Sequence, residues 1–180
     1  GQVNLGPSTT TIAGNDLDVI AVLNRAADVG DPVTNGKIAG IGSINVVLDE
    51  SDPANPPYTD TSGHASYTVT EINSVTAKTT GTVTAAVTPT NLATIEGLTT
   101  AGAYTITIAD DGGSQTVNAN DLVGVLAKVT GTGTVKLTTN VTALSGTYAN
   151  ILAVYNSGVI SEGLGNEAVT VTDQITVAQA

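Results

Sequence analysis

Four glycines, each standing just before a short run in which aliphatic residues alternate with threonine, constrain this chain more than any other feature. Gly81 precedes TVTAAVT, Gly102 precedes AYTITIAD, Gly133 precedes TVKLTT and Gly165 precedes NEAVTVTD, at gaps of 21, 31 and 32 residues. Within the runs, aliphatic or aromatic residues fall two apart: Val83, Ala85 and Val87; Tyr104, Ile106 and Ile108; Val135 and Leu137; Val169 and Val171. That period puts one face of a strand in a core and the other toward water. Threonine supplies 31 of the 180 residues. Its branched β-carbon favours extended backbone and a half-buried pleated surface.

Between the runs lie residues 90–98 (TNLATIEGL), 119–128 (ANDLVGVLAK) and 147–158 (TYANILAVYNSG). Each has Thr, Asn or Asp near its start, residues whose side chains accept the free N–H groups of a helix N-terminus. Each also spaces aliphatics three or four apart, as Leu92 and Ile95, Leu122 and Leu126, or Ile151 and Tyr155 do. A strand plus a short helix in this length is too little for the crossover unit of a doubly wound sheet. The pattern predicts an α/β repeat: a strand–short-helix solenoid with a parallel sheet, in which each coil buries its apolar face only against the next. An antiparallel β-sandwich is the alternative, because short Thr/Val runs with glycine turns suit it as well.

The first third reads differently. A helix is expected over residues 15–27, with Asp16 and Asp18 in its first turn. A Gly-punctuated stretch follows at 37–41, and a strand at 43–48. Residues 49–62 form a polar loop with three prolines, whose Asn-Pro and Pro-Pro pairs exclude regular structure. Residues 67–70 read as a further strand. The chain therefore divides into an N-terminal α+β cap with its Pro-rich loop (1–62) and Gly-anchored repeats (63–180). Residues 175–180 (ITVAQA) read as the start of another helix. A last coil left uncovered is expected either to continue into further coils or to dock on another subunit, which head to tail gives a filament.

Composition removes whole classes of function. With no Cys there is no disulfide framework, thiol nucleophile or cysteine zinc site. Five cations against 16 acids, a net charge of −11, leave no basic footprint for nucleic acid. The apolar runs fall far short of the ~18 residues needed to cross a bilayer, so no membrane insertion is expected. Neither a nucleophile elbow nor a zincin or phosphate-loop motif is present, and His64 has no motif around it. The chain is expected not to be an enzyme.

Residues 141–173 (VTALSGTYANILAVYNSGVISEGLGNEAVTVTD) and 75–88 (VTAKTTGTVTAAVT) resemble Thr/Ala/Gly-rich repeats of very large extracellular proteins of marine cyanobacteria. Similar stretches occur in structural proteins of their phages. The most specific piece is GLGNEAVTVTD, and the resemblance spans roughly residues 66–180. It implies a surface or structural role, outside the cell or on a virion, and brings no catalytic residues with it. The uneven spacing and the insertion-like turn at Asp110-Asp111-Gly-Gly-Ser-Gln depart from a regular array.

Two acidic loops are the candidate cation sites. Asp49, Glu50, Asp52 and Asp60 surround the Pro-rich loop, and Asp110 and Asp111 precede paired glycines. Calcium takes six to eight oxygen ligands, commonly from such loops; solvated acids that keep an aliphatic chain soluble are the competing account. Asp28 and Asp31 form a smaller pair, and IAGNDLDVI (12–20) matches only one unit of a Gly/Asp calcium nonapeptide, so it reads better as a capped helix start. Tyr104, Tyr148 and Tyr155 fall in phase with core positions, whereas Tyr58 reads as a contact residue. Asn140-Val-Thr142 matches a glycosylation acceptor, and threonine rows on strand outer faces would suit a regular lattice such as ice or a polysaccharide. Three functions follow as expectations: a structural module that self-associates through stacked repeats; a calcium-stabilised adhesin for a cell surface or glycan; and a filament subunit that donates a strand from its polar, Thr-rich N-terminal arm (QVNLGPSTTTI, residues 2–12) or from residues 167–172.

Overall fold

The computed structural model describes residues 3–4, 10–14, 16–27, 38–39, 42–48, 66–109 and 115–174. Sixteen elements follow in chain order. They are β1 (Val3–Asn4), β2 (Thr11–Gly14), α1 (Asp16–Ala27), β3 (Ile38–Ala39), β4 (Asn45–Leu48), α2 (Val69–Thr76), β5 (Val83–Ala86), α3 (Leu92–Ile95), β6 (Ala103–Ile108), β7 (Gln115–Asn118), α4 (Ala119–Leu126), β8 (Thr134–Leu137), β9 (Val141–Gly146), α5 (Tyr148–Tyr155), β10 (Ile160–Glu162) and β11 (Ala168–Val171). Six strands form one sheet in the order β10-β8-β6-β5-β4-β2, three form a second in the order β11-β9-β7, and β1 pairs with β3. In both larger sheets the spatial order is the chain order.

Every strand pairing among the described residues is parallel. The fold is therefore α/β with a parallel sheet and short helices, as expected, and the antiparallel sandwich is overturned. A period of two says which residues share a face; it carries no information on strand direction. Direction is set by the connections, because a parallel neighbour requires a crossover, and α1 to α5 supply them.

The strands form where the alternation places them. In β6, Tyr104, Ile106 and Ile108 are fully buried and Thr105 is exposed. Side chains directly paired in register share a face, so Ile106, Val135 and Ile160 stand in one inward column through β6, β8 and β10. The anchoring glycines are explained by close approach. A β-carbon at Gly81 would lie 2.1 Å from the carbonyl oxygen of Ile44, at Gly102 2.5 Å from that of Val83, and at Gly133 2.7 Å from that of Tyr104. The fourth such contact belongs to Gly163, whose β-carbon would lie 2.2 Å from the Leu137 carbonyl oxygen. Gly165, read from sequence as the fourth anchor, has open space around it. It leads into β11, which belongs to the three-stranded sheet.

The strand expected at residues 67–70 is instead a helix start. Four residues alternate there, but Thr68 and Glu71 form a capping box: the Glu71 N–H donates to Thr68 Oγ1 at 3.3 Å and the Thr68 N–H donates to Glu71 Oε2 at 2.7 Å. Val69, Ile72, Val75 and Thr76 then bury one face of α2, and only Tyr67 pairs, bridging to Val87. The helices expected over 15–27, 90–98, 119–128 and 147–158 are α1, α3, α4 and α5. Strands β3, β7, β9 and β10 lie where the sequence reading places no strand.

Candidate functional site

Asp49, Glu50, Asp52, Asp60, Asp110 and Asp111 all lie outside the described residues, as do Asp28, Asp31, Tyr58 and His64. Asp16 and Asp18 occupy the first turn of α1, where the positive end of the helix dipole favours a carboxylate. Among the described residues no three His, Cys, Asp or Glu side chains come together as metal ligands, and no helix is long and apolar enough to cross a membrane.

The outer face of the six-stranded sheet breaks up the threonine rows. Ala86, Thr105 and Thr134 stand in one column, and Thr107, Lys136 and Glu162 in the next. The second column ends in an ion pair of 2.5 Å between Lys136 and Glu162. A regular lattice-matching array of hydroxyls is not what these columns present.

Side chains tie α3, α4 and α5 each to the helix before it. Asn73 on α2 donates to the Gly97 carbonyl at 2.8 Å and accepts from the Thr99 N–H at 3.0 Å. Lys128, past the end of α4, donates to the Glu96 and Leu98 carbonyls at 2.7 and 2.6 Å, satisfying groups exposed after the last turn of α3. Asn150 on α5 donates to Asn120 Oδ1 on α4 at 2.7 Å. Beyond β11, Asp173 accepts the Tyr148 N–H at 2.7 Å, adding a carboxylate to the α5 N-terminus.

The distribution of exposed apolar surface is the feature that points to function. Four large hydrophobic side chains among the described residues are exposed: Leu17 (68%), Leu152 (44%), Tyr155 (41%) and Val169 (46%). Leu17 lies on α1, which packs on β2 and β4 at one end of the six-stranded sheet. The other three lie on α5 and β11 at the opposite end. Val169 pairs with the fully buried Leu144, so it belongs to the inward column of its sheet and is bared because no described strand lies beyond β11. Val159, Ile160, Leu164 and Val171 beside it are only partly buried against the core. Among the described residues, apolar side chains on α5 and β11 are thus the least covered part of the core at this end.

Tyr155 is accordingly not the core residue its phase predicted; of the three tyrosines so read, Tyr104 is buried and Tyr148 half-buried. The helical period of α5 is met by Ile151 and Val154, which turn inward. The Tyr155 hydroxyl donates to Glu167, whose other oxygen accepts the Gly165 and Asn166 N–H groups at 2.7 and 2.9 Å. Partial burial, and then the facing Glu167 carboxylate, push Tyr155 up to about 12. Burial opposes ionisation of Glu167, but the Tyr155 hydroxyl and the backbone N–H donors outweigh it and hold the carboxyl below its usual value. One carboxylate so fixes the turn between β10 and β11 against α5. No signal in the sequence separated Leu152, Tyr155 and Val169 from core positions, because their periodicity is that of the core.

No protein-family model matches the chain, and neither a curated protein nor a solved structure matches it.

Proposed function

We propose that this chain is a non-enzymatic structural module, a strand–short-helix solenoid whose end faces associate with identical or similar subunits to build a fibre, filament or surface layer. The confinement of exposed large hydrophobic side chains to the two ends of the sheet order carries this reading. Such side chains in water mark an interaction surface, whereas scattered ones do not. Two further observations support it: strand order that follows chain order, and the side-chain hydrogen bonds from Asn73, Lys128 and Asn150 that tie α2 to α3, α3 to α4 and α4 to α5. A stack of this kind has the same two faces at its ends that it buries in its middle. The extracellular or virion setting rests on the resemblance to Thr/Ala/Gly-rich repeats. Light scattering on a size-exclusion column, over a wide concentration range, together with electron microscopy, tests the proposal. Concentration-dependent growth beyond a monomer is expected. A monomer at every concentration refutes it.

A further inference from the structure

The geometry points to a polarity for that assembly: a second copy of this chain adds its β2 edge, parallel, beside the β10 edge of the first. This rests on the self-association proposed above and names which surfaces meet. Strand direction is the first argument. The six-stranded sheet is parallel throughout, with β2 and β10 as its outermost strands. A copy displaced along the stacking direction brings β2 beside β10 with the same strand direction and extends the existing pattern. Two copies joined through the same edge by a two-fold axis would meet antiparallel, unlike any described pairing in the molecule.

Backbone groups agree. Val135 donates to the Val159 carbonyl, so in the alternation of a parallel ladder the N–H and C=O of Ile160 turn to the open side of β10. Asn45 donates to the Thr10 carbonyl, so Thr11 and Ala13 turn theirs away from β4 on the far side of β2. The inward columns agree as well. Ile160 ends the inward column Ile106–Val135–Ile160, and Ile12 begins another inward column, Ile12–Val46–Val83, so each edge presents an apolar residue on the core side. The exposed side chains settle the choice of surfaces: a head-to-tail joint covers Leu17 together with Leu152, Tyr155 and Val169, whereas a two-fold joint between C-terminal faces leaves Leu17 in water. Both faces are acidic, with Asp16 and Asp18 beside Leu17 and Glu162, Glu167 and Asp173 at the other end. Salt therefore strengthens the joint, since the Debye length falls from about 30 Å at about 0.01 M to about 8 Å at about 0.15 M.

Because the chain lacks Cys, single cysteines report the polarity. Ala13→Cys and Ser161→Cys are both at exposed positions on the two edges. Each variant is first required to melt cooperatively at the parent's temperature, then treated with a short bismaleimide alone and as a mixture at about 0.15 M salt. Covalent dimers in the mixture, absent from each variant alone and fewer at about 0.01 M salt, are the expected result. Ser161→Cys dimers formed alone would mean a two-fold joint and overturn the polarity. Larger species by light scattering without cross-links in the mixture would overturn the polarity and leave self-association standing. Monomers throughout would remove both.

Discussion

Replacing Gly81 with alanine adds one methyl group where the Ile44 carbonyl oxygen is 2.1 Å away, the Ile44 carbonyl carbon 2.4 Å and the Asn45 nitrogen 2.8 Å. Ordinary carbon–oxygen contact begins near 3.4 Å, so the two strands must separate by roughly 1 Å at this point. All three contacts are backbone, so no side chain can swing aside. Separation strains the Val46 N–H to Thr82 carbonyl bond at 2.9 Å and the bond from Thr79 Oγ1 to the Ile44 carbonyl at 2.7 Å. Overpacking costs about 1–3 kcal/mol by itself, and weakening one or two buried hydrogen bonds adds about 1 kcal/mol each. Gly81→Ala should therefore destabilise by about 3 kcal/mol, which for a domain of this size lowers Tm by about 6–12 °C. Gly124 provides the control. It lies inside α4 with nothing within 4 Å of an added β-carbon, and alanine there should stabilise by up to about 1 kcal/mol through helix propensity. Thermal and urea unfolding followed by far-ultraviolet circular dichroism measures both. The same chemical change is thus expected to act with opposite sign at the two sites. A Gly81→Ala variant as stable as its parent would refute the close-approach account of the repeat.

Other outcomes follow from the same contacts. Lys128→Met removes a charged donor from two carbonyls and should cost about 1.5–3 kcal/mol in urea unfolding, whereas Lys136→Met, which breaks only an exposed ion pair, should cost under about 1 kcal/mol. Tyr155 is raised in the folded state, so its contribution to stability is complete below about pH 10 and is lost as pH rises through about 12. Glu167 is lowered, so its contribution is present above the ordinary carboxylate range and lost as pH falls through its depressed value. Glu167→Gln should bring the titration of Tyr155, read as the absorbance difference between variants with and without Tyr155→Phe, to lower pH and flatten the acid limb of the stability profile. Leu152→Lys with Val169→Lys should abolish association seen by light scattering while leaving the melting temperature of the monomer nearly unchanged. If Asp49, Glu50, Asp52 and Asp60, or Asp110 and Asp111, hold calcium, millimolar calcium should raise Tm and chelator should reverse it; superimposable melts would remove the calcium expectation.

The parts of the fold that were legible are those with a local cause. The alternation in β5, β6 and β8, the capping residues of α3, α4 and α5, and the glycine before each of those strands all act over a few neighbouring residues. Strand direction was open because Val83-Thr84-Ala85 alternates equally well in either sense; it is decided by helices lying between strands. Tyr67-Thr68-Val69-Thr70 misled because four residues fit both periods, and Glu71 three positions after Thr68 was the signal that favoured a helix. The end face was the least legible. Leu152 and Tyr155 have the chemistry of core residues, and only the position of α5 in the sequence of units leaves them uncovered. Exposure there depends on the order of elements in space, which no window along the chain records.

Strand order that keeps step with chain order has a consequence for how such a molecule changes through evolution. Strands that neighbour one another in each of the two larger sheets follow one another among that sheet's strands along the chain, so each pairing closes over a single crossover. In a stack of the kind proposed, duplication or loss of one whole unit would alter reach without rewiring anything else. The dimension that selection tunes most easily in this architecture is length.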